Sequence, residues 1–154
     1  MKKIVITGAL GYIGTELCKI YSGFSHQYEI VAIDKQFYSE RVNRLNNWGI
    51  KFIQCDILNK DLLRTILKDT DLVFHLAGIT DVPQTNLEKS NKKEKLIQKV
   101  GVEGSKNIIK FSEDYTKIIF PSTHVVYEGL KDIEKNIKES KPPVPVLEYA
   151  KGKF

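Results

Sequence analysis

Residues Thr7 to Gly14 read TGALGYIG, and the reading of this stretch decides the fold. Before it, Lys3, Ile4, Val5 and Ile6 form a short run suited to a buried strand. After it, from Tyr12 onward, Ile13, Leu17, Ile20, Tyr21 and Phe24 recur at helical spacing. Three glycines stand at the junction, and each position asks for a different property. Gly8 permits a tight turn, Gly11 lets a pyrophosphate come against the backbone, and Gly14 lets the helix pack on the strand. The helix opening there offers free N–H groups to an anion, which makes Gly8, Gly11, Tyr12, Ile13 and Gly14 the candidate phosphate cradle. Glycines at this spacing are common by themselves, and it is the strand before and the helix after that supply the context the motif requires.

About twenty residues on, a dinucleotide-binding unit places an acid at the end of its second strand. Asp34 stands there, closing the run Tyr28, Glu29, Ile30, Val31, Ala32 and Ile33. Its carboxylate is expected to accept from both hydroxyls of the adenosine ribose. The next residue is Lys35 and no Arg follows, so NAD is the expected cofactor rather than NADP.

A chain of 154 residues is one domain by length, and 42% hydrophobic with 28% charged residues fits a globular body rather than disorder. The formal charge of +5 raises the question of nucleic acid. The densest lysine group, Lys89, Lys92, Lys93, Lys95 and Lys99, is interrupted by Glu88 and Glu94, as a solvated helix face is, and no nucleic-acid partner is expected. Cys18 and Cys55 have no metal or disulfide spacing, so no metal site is expected and a reducing compartment fits. No apolar run approaches the roughly twenty residues that span a bilayer. The expectation is a cytoplasmic protein without a membrane partner.

Further along, Gln36 to Trp48 reads as a helix with Val42, Leu45 and Trp48 as its packing stripe, ended by Gly49. Ile50 to Gln54 is a third strand, followed by Cys55, Asp56 and Ile57. Asn59 is positioned to cap a helix carrying Leu62, Leu63, Ile66 and Leu67. Asp71 to Ala77 is a fourth apolar run broken by Gly78. A turn-prone stretch with Pro83, Asn86 and Ser90 precedes one long helix over Asn91 to Asp114, where Gly101 and Gly104 share a face and invite a close approach. Lys117 to Phe120 is a fifth strand, and Glu128 to Pro145 a long polar loop. Strands alternating with helices specify an α/β fold, a doubly wound parallel sheet of the Rossmann kind with strand order 3-2-1-4-5 and ligands at the carboxyl ends of strands one and four.

His75 to Gly78 reads HLAG, Ser122 to Tyr127 reads STHVVY, and Tyr149 and Lys153 are spaced as YxxxK. With TGALGYIG, these motifs resemble the N-terminal half of the extended short-chain dehydrogenase/reductase superfamily, the NAD-dependent epimerase/dehydratase family acting mainly on nucleotide sugars. The resemblance covers the whole chain. It implies that Asp34 and Lys35 lie at the adenosine ribose, Asp56 and Ile57 beside the adenine, and Leu76, Ala77 and Gly78 along the cofactor. It implies a catalytic set of Thr123, Tyr149 and Lys153, in which Thr123 hydrogen-bonds the reacting oxygen, Tyr149 moves the proton and Lys153 holds the nicotinamide ribose. Four residues apart, a Tyr and a Lys share one helix face. A tyrosine normally ionises near pH 10, so service as a base near neutrality needs a cationic field equivalent to about three pKa units, or 4 kcal/mol. His75 and His124 read as structural.

The chain departs from the family pattern in places. Glu128 stands where Gly usually follows VY, and Gly101 stands where the family often has Asn. Dehydratases of the family commonly carry Asp and Glu after the position of Thr123, whereas His124 and Val125 stand here. Elimination of water needs such an acid, so epimerase or reductase chemistry is favoured over dehydration. The chain stops one residue after Lys153, which implies a fragment or truncated product of a protein about twice as long: residues 1–154 are an NAD-binding Rossmann domain lacking the later strands and the substrate domain. Nucleotide-sugar binding then belongs to the full-length parent, a homodimer is a candidate assembly, and the segment from Glu128 onward is expected to be poorly ordered without a neighbour. The alternative is a non-catalytic NAD-binding or regulatory module.

Overall fold

The apolar run before TGALGYIG is a strand with both faces buried: Val5 and Ile6 are each 0% exposed. The computed structural model describes residues 1–80, 91–131 and 135–154, with the backbone alone for 91–93. Pro83, Asn86 and Ser90, along with Glu88 and Lys89, lie outside the described residues, as do the side chains of Lys92 and Lys93. The central strand β1 (Lys2–Thr7) pairs in parallel with β2 (Tyr28–Asp34) on one side and β4 (Leu72–His75) on the other. Outside these lie β3 (Lys51–Gln54) and β5 (Lys117–Ile119), giving the expected order 3-2-1-4-5.

Successive side chains of a strand point to opposite faces. Here both sets are apolar, because helices cover both sides. Ile4, Ile6, Ile30 and Ala32 pack under α1 (Tyr12–Ser22) and α2 (Ser39–Asn47) with Cys18, Val42 and Leu45. Val5, Val31, Ile33 and Val73 pack on the other face with Leu63, Ile66, Leu67 and Ile108, from α3 (Lys60–Leu67) and a later helix. Asn59 caps α3 as its position suggests, its side chain accepting from the Leu62 N–H at 3.3 Å. At the other end Lys3 Nζ donates to the Ile66 and Lys68 carbonyls, both at 2.7 Å, tying α3 to the start of β1.

The single helix expected over Asn91 to Asp114 is instead three pieces: α4 (Asn91–Gln98), a π-helical segment Lys99–Gly104, and α5 (Ser105–Phe111). The reason lies in its two glycines. A Cβ on Gly101 would stand 3.4 Å from Gly152 Cα, and one on Gly104 would stand 2.3 Å from Ile57 Cδ1, so two different elements press into the space they leave. Ser105 Oγ donates to the Gly101 carbonyl within the widened turn. Such π-segments occur frequently at functional sites.

After β5 the chain forms a 3-10 turn (His124–Tyr127) and the single-turn helix α6 (Glu148–Lys151). Backbone hydrogen bonds tie the described residues from Glu128 onward back to the 3-10 turn. The Val144 N–H donates to the Val126 carbonyl at 2.8 Å and the Gly129 N–H to the Val144 carbonyl at 2.9 Å. No helix among the described residues is long and apolar enough to cross a membrane.

Candidate functional site

The carboxyl ends of β1 and β4 open on a cleft of about 650 Å³, a size common for small-molecule sites. Gly8 turns the chain at its floor in the left-handed region (φ +66°), and a Cβ there would meet Ala77 N at 2.8 Å. Gly14 brings α1 against the turn so closely that a Cβ would lie 2.4 Å from the Gly8 carbonyl oxygen. Gly11, the N-cap, has no side chain to satisfy the first turn of α1, and that turn contains no acidic residue. Its N–H groups are free in character for an anion. Tyr12 and Ile13, 86% and 58% exposed, stand at the mouth.

At the far end of β2, Asp34 is fixed by two backbone donors, Leu10 N–H at 3.0 Å and Gln36 N–H at 2.9 Å, one to each carboxylate oxygen. Lys35 turns to Asp56, with Nζ 3.0 Å from Oδ2. Burial alone would raise the Asp56 pKa, but the Leu58 N–H and the Lys35 ammonium hold it below the usual carboxylate range. Ile57 lines the cleft and fills the space beside Gly104, and Asn107 Nδ2 donates to its carbonyl at 3.0 Å.

Leu76, Ala77 and Gly78 form the wall between the two ends. A chain of hydrogen bonds through His75 holds them. Thr7 Oγ1 accepts from the Leu76 and Ala77 N–H groups at 3.0 and 2.9 Å, so its own proton goes to His75 Nδ1 at 2.9 Å. That leaves the ring proton on Nε2, which donates to Ser105 Oγ at 3.0 Å, and Ser105 donates onward to Gly101. The chain needs a neutral ring. Burial, with the Lys153 charge adding to it, pushes the His75 pKa down to about 4 from 6.5.

A group with a depressed pKa gives stability that is complete above its unfolded value and lost as pH falls toward its folded value. For His75 the window runs from 6.5 down to about 4. Between pH 7 and 4.5 the protein is expected to lose about 2 kcal/mol more unfolding free energy than the His75→Gln variant. Urea melts at the two pH values measure it, and equal losses would show that His75 is not held neutral.

Tyr149 and Lys153, carried by α6 and the turn after it, line the cleft opposite the glycines. Burial holds the Lys153 ammonium below the usual lysine range. It sits 4.3 Å from the centre of the Phe120 ring, whose ring in turn stacks on His75 at 5.1 Å. Ser122 also lines the cleft and donates its hydroxyl to the Lys153 carbonyl at 3.0 Å. Thr123 does not line it. Its Oγ1 accepts from the Val125 N–H at 3.3 Å as the cap of the 3-10 turn, and His124 and Val125 face a separate shallow groove.

The structure therefore brings every candidate cofactor contact, with Tyr149 and Lys153, around one cleft and leaves Thr123 outside it. Sequence reasoning missed Phe120 and Ser122. Ser122 carried a signal, lying beside Thr123 in STHVVY, whereas nothing local marks Phe120. Side-chain-free turns, a helix N-terminus with no side-chain cap, a fixed acid and, at Gly78, space where a Cβ would meet no atom of the described residues within 4 Å together suit a dinucleotide.

Residues 5–153 match the 3-beta hydroxysteroid dehydrogenase/isomerase family. Human dTDP-D-glucose 4,6-dehydratase is 27% identical over 160 residues, which covers 99% of this chain and 44% of that protein. A UDP-N-acetyl-alpha-D-glucosaminuronate decarboxylase from Bacillus cytotoxicus is 33% identical over 127 residues, covering 82% and 38%. Among solved structures, a mutant UDP-glucuronic acid 4-epimerase from Bacillus cereus, in complex with UDP-4-deoxy-4-fluoro-glucuronic acid and NAD, superposes with a TM-score of 0.82 at 27% identity. That likeness covers 98% of this chain and 48% of the other, so this chain spans under half the length of the relatives named. The match runs from the central strand to Lys153, through the cradle, the acid and the Tyr149 turn, and the chain accordingly belongs to the 3-beta hydroxysteroid dehydrogenase/isomerase family, among the epimerases and dehydratases of the extended short-chain dehydrogenase/reductase superfamily.

Proposed function

We propose that this chain is the cofactor-binding half of an NAD-dependent epimerase or reductase acting on a nucleotide sugar. The observation that carries the reading is a single cleft with the glycine cradle and Asp34 at one end and Tyr149 and Lys153 at the other. Bound NAD supplies reversible hydride acceptance. The chain's own residues do the rest: the first turn of α1 binds the pyrophosphate, Asp34 accepts from the adenosine ribose and Lys153 donates to the second ribose. Tyr149 moves the proton at the reacting oxygen of the substrate, with the hydroxyl of Thr123, as the resemblance implies, or of Ser122, which lines the cleft, as its hydrogen-bonding partner. The nucleotide-sugar assignment draws on the ligands and names of the similar proteins. Although some of those are dehydratases, the residues following Thr123 are His124 and Val125 rather than acids, which favours epimerisation or reduction.

NAD is expected to bind at least about tenfold tighter than NADP, since a 2′-phosphate would meet the Asp34 carboxylate. The nearby cations are already engaged, Lys35 with Asp56 and Arg41 with the Leu10 carbonyl. Calorimetric titration with both dinucleotides is the measurement, and equal or tighter NADP binding would remove this reading of Asp34.

A non-catalytic NAD-binding module is the second reading, favoured by the position of Thr123 outside the cleft. Turnover of a UDP- or dTDP-sugar that depends on NAD and on Tyr149 would decide for the enzyme. Dinucleotide binding with no turnover across such a panel, in a form that binds the sugars, would decide for the module.

A further inference from the structure

Glu128 stands at the end of the 3-10 turn that Thr123 opens, and its side chain reaches across to the backbone leading into α6. One carboxylate oxygen accepts from the Val146 N–H at 2.9 Å and also from the Leu147 N–H. Leu147 is the N-cap residue of α6, two positions before Tyr149. We infer that Glu128 is a positioning residue, a clamp that sets the entry of the Tyr149 turn and thereby holds Tyr149 and Lys153 at the nicotinamide end of the cleft. The inference rests on the reading of that cleft as an NAD site.

A helix of four residues cannot hold itself in water, so its placement depends on the burial of Ala150 in its middle and on what grips its two ends. At the far end, Gly152 packs on Gly101 and Ser122 Oγ holds the Lys153 carbonyl. The Lys151–Glu148 ion pair, at 2.7 Å, lies inside the turn and anchors it to nothing else. At the near end, the grip is the Glu128 carboxylate. The neighbouring Gly129 completes it: a Cβ there would lie 2.5 Å from the Val144 carbonyl oxygen, so only glycine lets the two strands of the loop close enough for Glu128 to reach.

Both hydrogen bonds are solvent-exposed. Water can satisfy the Val146 and Leu147 N–H groups once the carboxylate is gone, so its loss costs geometry rather than leaving buried donors unpaired. The consequence falls on one end of the cofactor site. ADP reaches only the cradle and the Asp34 end, whereas NAD also reaches Tyr149 and Lys153.

The test is calorimetric titration of the parent, Glu128→Ala and Glu128→Gln chains with NAD and with ADP. Glu128→Ala is expected to weaken NAD about tenfold while ADP changes by less than about twofold, a ratio that general destabilisation would not move. Glu128→Gln keeps an acceptor oxygen and is expected to recover NAD affinity to within about threefold of the parent. Hydrogen exchange adds a readout with no dinucleotide present: the Val146 and Leu147 amides should lose protection in Glu128→Ala alone. A Glu128→Ala chain with the parent's ratio of NAD to ADP affinity would overturn the clamp and leave the cofactor reading standing. If that variant binds no ADP because it does not fold, Glu128→Ser, whose side chain is too short to reach the two amides, decides by the same ratio, a ratio lowered about tenfold supporting the clamp and the parent's ratio overturning it. A parent chain that binds neither ligand would overturn the cofactor reading, and this inference with it.

Discussion

Gly11→Val is expected to abolish dinucleotide binding in a chain that still folds, weakening the NAD dissociation constant at least about 100-fold, or roughly 2.7 kcal/mol. At Gly11 the backbone (φ −73°, ψ 173°) is extended, a conformation valine adopts freely. Among the described residues, a Cβ there would approach only the Gly8 carbonyl oxygen, at 3.1 Å. The added methyl groups instead take up the space where the pyrophosphate must meet the backbone. Gly14 gives the opposite result. A Cβ at that position would lie 2.4 Å from the Gly8 oxygen and 2.7 Å from Ala9 Cα, both backbone atoms that cannot turn away, so even Gly14→Ala is expected to cost about 1–3 kcal/mol of stability. Thermal melting and NAD calorimetry on the two variants separate the roles. Gly11→Val binding NAD within about threefold of the parent would show that the phosphates do not pass this residue.

That contrast was legible in the sequence, because each glycine's task follows from its offset within a strand, turn and helix. The sheet order was legible for a similar reason: apolar runs alternating with helical periodicity leave few topologies once crossovers are right-handed. Gly101 and Gly104 announced a close approach, and the structure supplies Gly152 and Ile57 as what approaches. Hydrophobic spacing could not announce the π-helical segment between them, since one inserted residue per turn changes backbone hydrogen bonding while the flanking pattern stays helical. Phe120 under Lys153 and Glu128 on the Val146 amide were out of reach as well. Each joins residues far apart in the chain whose types carry no signal alone, and Glu128 could be read only as a departure. The resemblance put Thr123 at the reacting oxygen; its Oγ1 accepts from the Val125 N–H and keeps its own proton to donate, while the neighbouring Ser122 lines the cleft.

Tyr149→Phe is expected to lower turnover at least about 100-fold while leaving NAD affinity within about twofold, measured in a form that turns over a UDP- or dTDP-sugar. Phenylalanine keeps the ring that lines the cleft and removes only the hydroxyl, so it tests proton transfer apart from packing. Lys153→Met serves as the contrast, because the ammonium is assigned both to the nicotinamide ribose and to the field beside Tyr149. Its loss should weaken NAD and slow turnover together, and should free the Phe120 ring from its cation. Thr123→Val separates the two placements of the reacting oxygen. With Thr123 outside the cleft its effect on turnover should be smaller than that of Ser122→Ala, which removes a hydroxyl at the cleft and the hydrogen bond to the Lys153 carbonyl. Near-normal turnover by Tyr149→Phe would mean that another group moves the proton, and the geometry of the cleft would then support binding of the dinucleotide without chemistry at this tyrosine.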